Sequence, residues 1–223
     1  MKLFSSRRLF FPDPRDALNE GIVKVSDDLR VERLLEAYSF GIFPWPAVDL
    51  PTLWFSPEKR GVLDFSDFHV PRSLQKFVAK TSFRCTFNQD FDGVIAACAA
   101  LPRPDQSGTW INDRLLRAYR EFHRAGYAHS LEVWDVDQLV GGLYGVYVGG
   151  IFSGESMFYL RPNASKLALI HLIEYLSREG LLWMDIQMVT PALEQFGGKY
   201  ISREAFLERL ELSKVTAKAL PFR

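Results

Sequence analysis

Hydrophobic positions change period along this chain, and the change divides it. Between Ala164 and Glu179, Leu169, Leu172, Ile173 and Leu176 recur at i, i+3, i+4 and i+7, the stripe of a helix packed on a core, and Gly180 ends it. The same spacing predicts helices at Val31–Phe40, Pro71–Lys80, Phe91–Ala100 and Asp113–Ala125, with shorter ones near Pro191–Phe196 and Arg203–Leu212. Alternating, β-branched runs predict strands at Phe83–Phe87, Ala128–Val136, Gln138–Val148 and Leu182–Met188, and a short one at Gly150–Ser153. A strand meander, then a long helix, then another strand describes an α/β (α+β) fold with a mixed sheet. Pro12, Pro14, Pro44, Pro46, Pro51 and Pro57 keep the start irregular, so a boundary is expected near Gly61. Residues 1–61 form a small aromatic- and proline-rich N-terminal domain in this reading, and 62–223 the larger one.

Composition narrows the class. With 48% apolar and 24% charged residues over 223 positions, the chain is an ordinary globular protein, neither disordered nor disulfide-stapled. Lys plus Arg (27) equals Asp plus Glu (27), so contact with a polyanion has to use local patches. No run of 18 apolar residues predicts a membrane span, and the N-terminus lacks a signal peptide's apolar stretch, so a cytoplasmic protein is expected. Cys85 and Cys98 sit in apolar surroundings without CxxC spacing and read as buried hydrophobes. There is no GxGxxG, no GxxxxGK[ST] and no HExxH, so dinucleotide, P-loop and zinc-hydrolase chemistry lose their usual support, and no metal is expected.

Four constellations remain. Asp185 and Gln187 are two apart on a predicted strand, so a carboxylate and a carboxamide project together; the pair either orients an amine or caps the next turn. Glu155 is a lone acid in the Gly-rich, apolar stretch Ser153–Phe158, either solvated or awaiting a cation. Arg72, Lys76 and Lys80 step by four where no acid occurs from Phe68 to Gln89, and Arg117, Arg120 and Arg124 share a helix face; these are solvated faces or a phosphate-binding surface. The aromatic segments Tyr38–Pro46 and Leu53–Pro57 pack on a neighbour or line a pocket.

These residues together resemble the leucyl/phenylalanyl-tRNA–protein transferase family from about Val31 to Leu210. The resemblance rests on an ordered set: GIFPW (41–45), LWFSP (53–57), TWI (109–111), HSLEVW (129–134), LVGGLYG (139–145), GESMF (154–158), NASK (163–166) and MDIQ (184–187). Each motif alone is weak. It implies an aminoacyltransferase that moves leucine or phenylalanine, methionine in some cases, from a charged tRNA to the N-terminal Lys or Arg of a protein, marking it for N-degron degradation. It further implies a GNAT-like catalytic domain behind a small N-terminal domain, a monomer, and no cofactor.

Carried over by position, the resemblance makes Asp185 and Gln187 the catalytic pair and Glu155 an essential acid. Trp110 and Tyr119 would stand near the terminal adenosine and aminoacyl group, and Trp54, Leu143 and Met157 around the donor side chain. Arg72, Lys76 and Lys80 become the expected tRNA contacts. The expected logic has Asp185 orienting Gln187, whose oxygen accepts from the attacking amine. Two rivals stay in view: an acyl-CoA N-acyltransferase, for which Tyr159–Lys166 lacks the glycine-rich pyrophosphate loop, and a non-catalytic tRNA-binding or N-terminus-recognition module.

Overall fold

Residues 10–45, 51–100 and 111–222 are described by the computed structural model. The N-terminal segment supplies β1 (Ile22–Val25), α1 (Val31–Ser39), β2 (Phe43–Trp45) and β3 (Leu53–Phe55), and the three strands pair antiparallel in the order β1-β3-β2. β4 (Lys59–Asp64), α2 (Arg72–Val78), β5 (Arg84–Phe87), α3 (Phe91–Ala100) and α4 (Asp113–Arg124) follow. The meander β6 (Ala128–Asp135), β7 (Gln138–Val148) and β8 (Ile151–Tyr159) leads to α5 (Ala164–Arg178) and β9 (Trp183–Gln187). α6 (Pro191–Glu194), β10 (Lys199–Ser202) and α7 (Arg203–Val215) complete the chain.

Seven strands form one mixed sheet in the order β10-β4-β9-β8-β7-β6-β5. Its ladders are antiparallel except β8–β9, which run parallel with the single register pair Ser153↔Asp185. This arrangement is the mixed α/β fold expected. α5 carries ten buried residues because its apolar stripe packs with Leu131, Val140, Leu143, Met184 and Ile186 of the sheet. A second core joins α1, α3 and α4 to Tyr144, Val146 and Phe158, and holds Phe11, Phe43 and Trp54 of the N-terminal segment. α7 covers Val62 and Trp183 with Phe206, Leu207 and Leu210.

Several expectations shift. The boundary expected near Gly61 falls inside β4, which pairs with β9 and β10 in the large sheet. The short strand expected at Gly150–Ser153 runs on to Tyr159, because each residue from Gly141 to Val148 finds a partner on it. Glu155 therefore lies within a strand rather than between strands. α2 ends at Val78, which leaves Lys80 beyond the helix.

Candidate active site

Two β-bulges on neighbouring strands create the site. On β8, Tyr144 pairs with Ser156 and Gly145 with Gly154, so Glu155 is an extra residue with no partner across the ladder. On β9, Val62 pairs with Asp185 and Gly61 with Gln187, which leaves Ile186 as the extra residue. A glycine faces each irregularity for a steric reason. A Cβ on Gly145 would lie 2.4 Å from the Ser153 carbonyl, and one on Gly61 2.9 Å from the Met188 backbone. Gln187 sits at φ +57°, and the Met188 N–H donates to the Ile186 carbonyl at 2.6 Å, a γ-turn centred on a non-glycine residue. Such backbone costs on the order of 1–3 kcal/mol and persists only where its surroundings hold it.

The holding group is Asp185. Its carboxylate is fully buried and receives four donors: Arg60 Nε at 2.8 Å and the Gln187 backbone N–H at 2.9 Å on Oδ1, Arg60 Nη2 at 2.7 Å and Ser153 Oγ at 3.0 Å on Oδ2. A carboxylate offers about four lone-pair directions, so this one is saturated. Asp185 thus grips the backbone of Gln187 rather than its amide. Ile186, the extra residue of the bulge, lies between them.

Glu155 orients the amide instead. Gln187 Nε2 donates to Glu155 Oε1 at 2.7 Å, and Gln187 Oε1 has no partner among the described residues. Tyr38 OH donates to the same Glu155 oxygen at 2.8 Å and Tyr119 OH to the other at 3.1 Å, while the two phenols lie 2.5 Å apart. Burial raises the Glu155 carboxyl from 4.5 to about 7; the Asp185 charge adds to the rise, and the two tyrosines and Arg60 oppose it. Burial also drives the Tyr38 and Tyr119 phenols well above 10, so both remain donors.

Beyond Ser153↔Asp185 the gap between β8 and β9 holds a cavity of about 220 Å³. Leu143 and Met157, a cross-strand pair, form part of its wall with Met184, Ile186, Leu169, Leu172 and Trp45; Glu155 and Gln187 supply polar atoms. Drug-sized pockets run to roughly 300–1,000 Å³, so this one suits a single apolar side chain.

Of the residues singled out from sequence, Glu155, Gln187, Leu143 and Met157 meet at this cavity. Asp185 stands behind it, and Tyr119 reaches it through Glu155. Trp54 does not reach it: the indole is buried in the front sheet, edge-on to Phe11 at 4.9 Å, and donates to the Ser26 carbonyl at 2.9 Å. Trp45 occupies the wall in its stead. Trp110 lies outside the described residues. Arg72, Lys76 and Lys80 are exposed, on and just after α2. Arg60 and Ser153 were not singled out from sequence, and Tyr38 and Trp45 only as members of an aromatic segment that packs on a neighbour or lines a pocket. Tyr38 lies on the apolar side of α1, and Arg60 on β4 stands in no motif that marks it.

Other groups fit structural roles. Cys85 is half-buried and burial pushes its thiol up to about 12, far from a nucleophile's range. Among the described residues no cluster of three His, Cys, Asp or Glu could hold a metal, and no helix is long and apolar enough to cross a membrane.

Comparison with known proteins places these residues in a family. The leucyl/phenylalanyl-tRNA protein transferase model matches residues 62–211, and the model of that family's N-terminal domain matches 27–58. A leucyl/phenylalanyl-tRNA–protein transferase of Pseudoalteromonas atlantica is 48% identical over 92% of this chain and 88% of its own length. One from Lawsonia intracellularis is 43% identical over 97% and 95%. Among solved structures, L-PGS from Bacillus licheniformis overlays 84% of this chain and 71% of its own at 13% identity and a TM-score of 0.44, too distant to carry a functional argument.

Proposed function

This chain belongs to the leucyl/phenylalanyl-tRNA protein transferase family and is an aminoacyltransferase; from that premise we propose that it transfers leucine or phenylalanine from tRNA to proteins beginning with Lys or Arg, through the cavity between β8 and β9. One observation carries the reading. The Gln187 amide is fixed by Glu155 at an apolar cavity, with its carbonyl oxygen unpartnered among the described residues.

The donor is already an ester, so the chain's task is positioning. Its apolar side chain enters the cavity against the wall formed by Leu143 and Met157, which sets the carbonyl near Gln187. The incoming α-amine donates a hydrogen to Gln187 Oε1, which turns its lone pair toward that carbonyl at about 3–3.5 Å. Attack forms the amide bond and breaks the ester bond to the terminal ribose. The amine loses a proton and the leaving ribose oxygen gains one, with the neighbouring ribose hydroxyl as the carrier. Ionised Glu155 keeps Nε2 toward itself and Oε1 toward the substrate, because a carboxylate only accepts. Asp185 acts one step removed, through the Gln187 backbone.

The mixed sheet, with one parallel pair beside the cavity, supports a GNAT-like catalytic domain that begins with β4 and a small N-terminal domain ahead of it. We assign Arg72, Lys76 and Lys80 to the tRNA body on their exposure and spacing. Degradation of the tagged protein, a cytoplasmic location and a monomeric enzyme complete the proposal. Mass analysis of peptides beginning with Arg, Lys, Met or Glu, incubated with mixed charged tRNA, tests it. Leucine or phenylalanine is expected on the first two only; equal labelling of all four, or of none, overturns the acceptor assignment.

A further inference from the structure

A guanidinium buried as fully as that of Arg60, 1% exposed, needs partners for its donors. It takes them from two elements beyond its own strand. Nε and Nη2 make two parallel bonds to Asp185, at 2.8 and 2.7 Å, and Nη1 donates to the Gly41 carbonyl at 3.0 Å. The rings of Phe43 and Phe206 lie over it at 4.5 and 4.4 Å. A continuous path of contacts follows: Gly41 carbonyl, Arg60, Asp185, the Gln187 backbone N–H, the Gln187 amide, Glu155.

We infer that Arg60 is a positioning residue of the transfer reaction: its two-bond grip fixes the Asp185 carboxylate, which holds the γ-turn at Gln187 and so aims the Gln187 amide, and its third donor ties that aim to the segment leading into Trp45. The inference rests on the reading of Gln187 as the group that orients the amine. A planar fork is what the arrangement requires. Two parallel N–H groups fix the rotation of a carboxylate about its Cβ–Cγ bond, which a lysine ammonium cannot do. Once that rotation is free, Oδ1 leaves the Gln187 N–H, and a positive-φ backbone loses the contact that keeps it there.

Arg60→Lys and Arg60→Met, assayed beside the unaltered protein for transfer of leucine from charged tRNA to an Arg-initiated peptide, test this. Arg60→Lys retains the charge and is expected to fold, with kcat lowered at least about 10-fold, the loss of a charge-assisted bond, and KM for charged tRNA within about 2-fold. Its acid limb of activity stays in place. In Arg60→Met the limb moves to higher pH, because a cation that lowers the Glu155 carboxyl is gone while Asp185, Tyr38, Tyr119 and Gln187 still face it. If Arg60→Met does not fold, Arg60→Lys decides alone. A folded Arg60→Lys with normal kcat, whatever its melting temperature, overturns the inference and reduces Arg60 to a structural ion pair. An unaltered protein that transfers nothing overturns the transfer reading itself, and this inference with it.

Discussion

Glu155→Gln replaces a titrating acceptor by a neutral group of the same shape, and the structure sets the size of both effects. In the native protein the carboxyl is raised from 4.5 to about 7, mainly by burial. A rise of this size corresponds to a few kcal/mol, at about 1.4 kcal/mol for each tenfold change in proton affinity. A raised acid binds its proton more tightly folded than unfolded. That stability is therefore fully present below about pH 4.5 and is lost as pH climbs through about 7. Glutamine does not titrate, so the melting temperature of the unaltered protein should fall relative to Glu155→Gln between pH 5 and 8. Activity should move oppositely. Transfer needs the ionised form that fixes the Gln187 amide, so the unaltered enzyme gains activity through about pH 7, beneath the separate titration of the acceptor amine near 8. Glu155→Gln keeps only the amine's limb and loses about 10- to 100-fold in kcat, a charge-assisted hydrogen bond being worth about 1.5–3 kcal/mol. Melting curves and single-turnover profiles on the two proteins check this. Superimposable pH dependences would refute the reasoning.

The other expectations concern the groups around that pair. Asp185→Ala leaves Arg60 buried without a counter-charge and should cost roughly 3–5 kcal/mol in denaturant unfolding; Asp185→Asn should fold yet transfer at least about 10-fold more slowly, and near-normal transfer by a folded Asp185 variant would contradict the positioning role. Leu143→Ala widens the wall it shares with Met157 and should favour phenylalanine over leucine by up to about 1–3 kcal/mol in competition between charged tRNAs; an unchanged ratio would place the donor side chain elsewhere. Arg72→Ala with Lys76→Ala should raise KM for charged tRNA and flatten its log–log salt slope by roughly 0.7–0.9 per lost contact; an unchanged slope returns these residues to a solvated face.

Much of the frame was legible in the chain. The stripe of α5, the meander from Ala128 to Val148 and the helix at Phe91–Ala100 stand where their periods put them, since each packs one apolar face. Glu155 and Gln187 were legible as chemistry, because a lone acid among glycines and a polar strand end are costly without purpose. What escaped is non-periodic. The bulge at Ile186 inserts a residue that no alternation rule anticipates. Arg60 pairs with Asp185 across 125 residues, and that burial has no local signature. Trp54 and Trp45 sit in similar proline-flanked aromatic segments, and only tertiary placement sends one to the front core and the other to the cavity.

The most direct measurement is a crystal structure with phenylalanyl-adenosine joined by a non-hydrolysable amide. The aromatic ring should lie in the cavity against Leu143 and Met157, with the carbonyl carbon about 3–3.5 Å from an amine or water held on Gln187 Oε1. An analogue seated instead in the larger cavity beside Trp183 and Leu212, or a Gln187 amide turned away from it, would contradict the account.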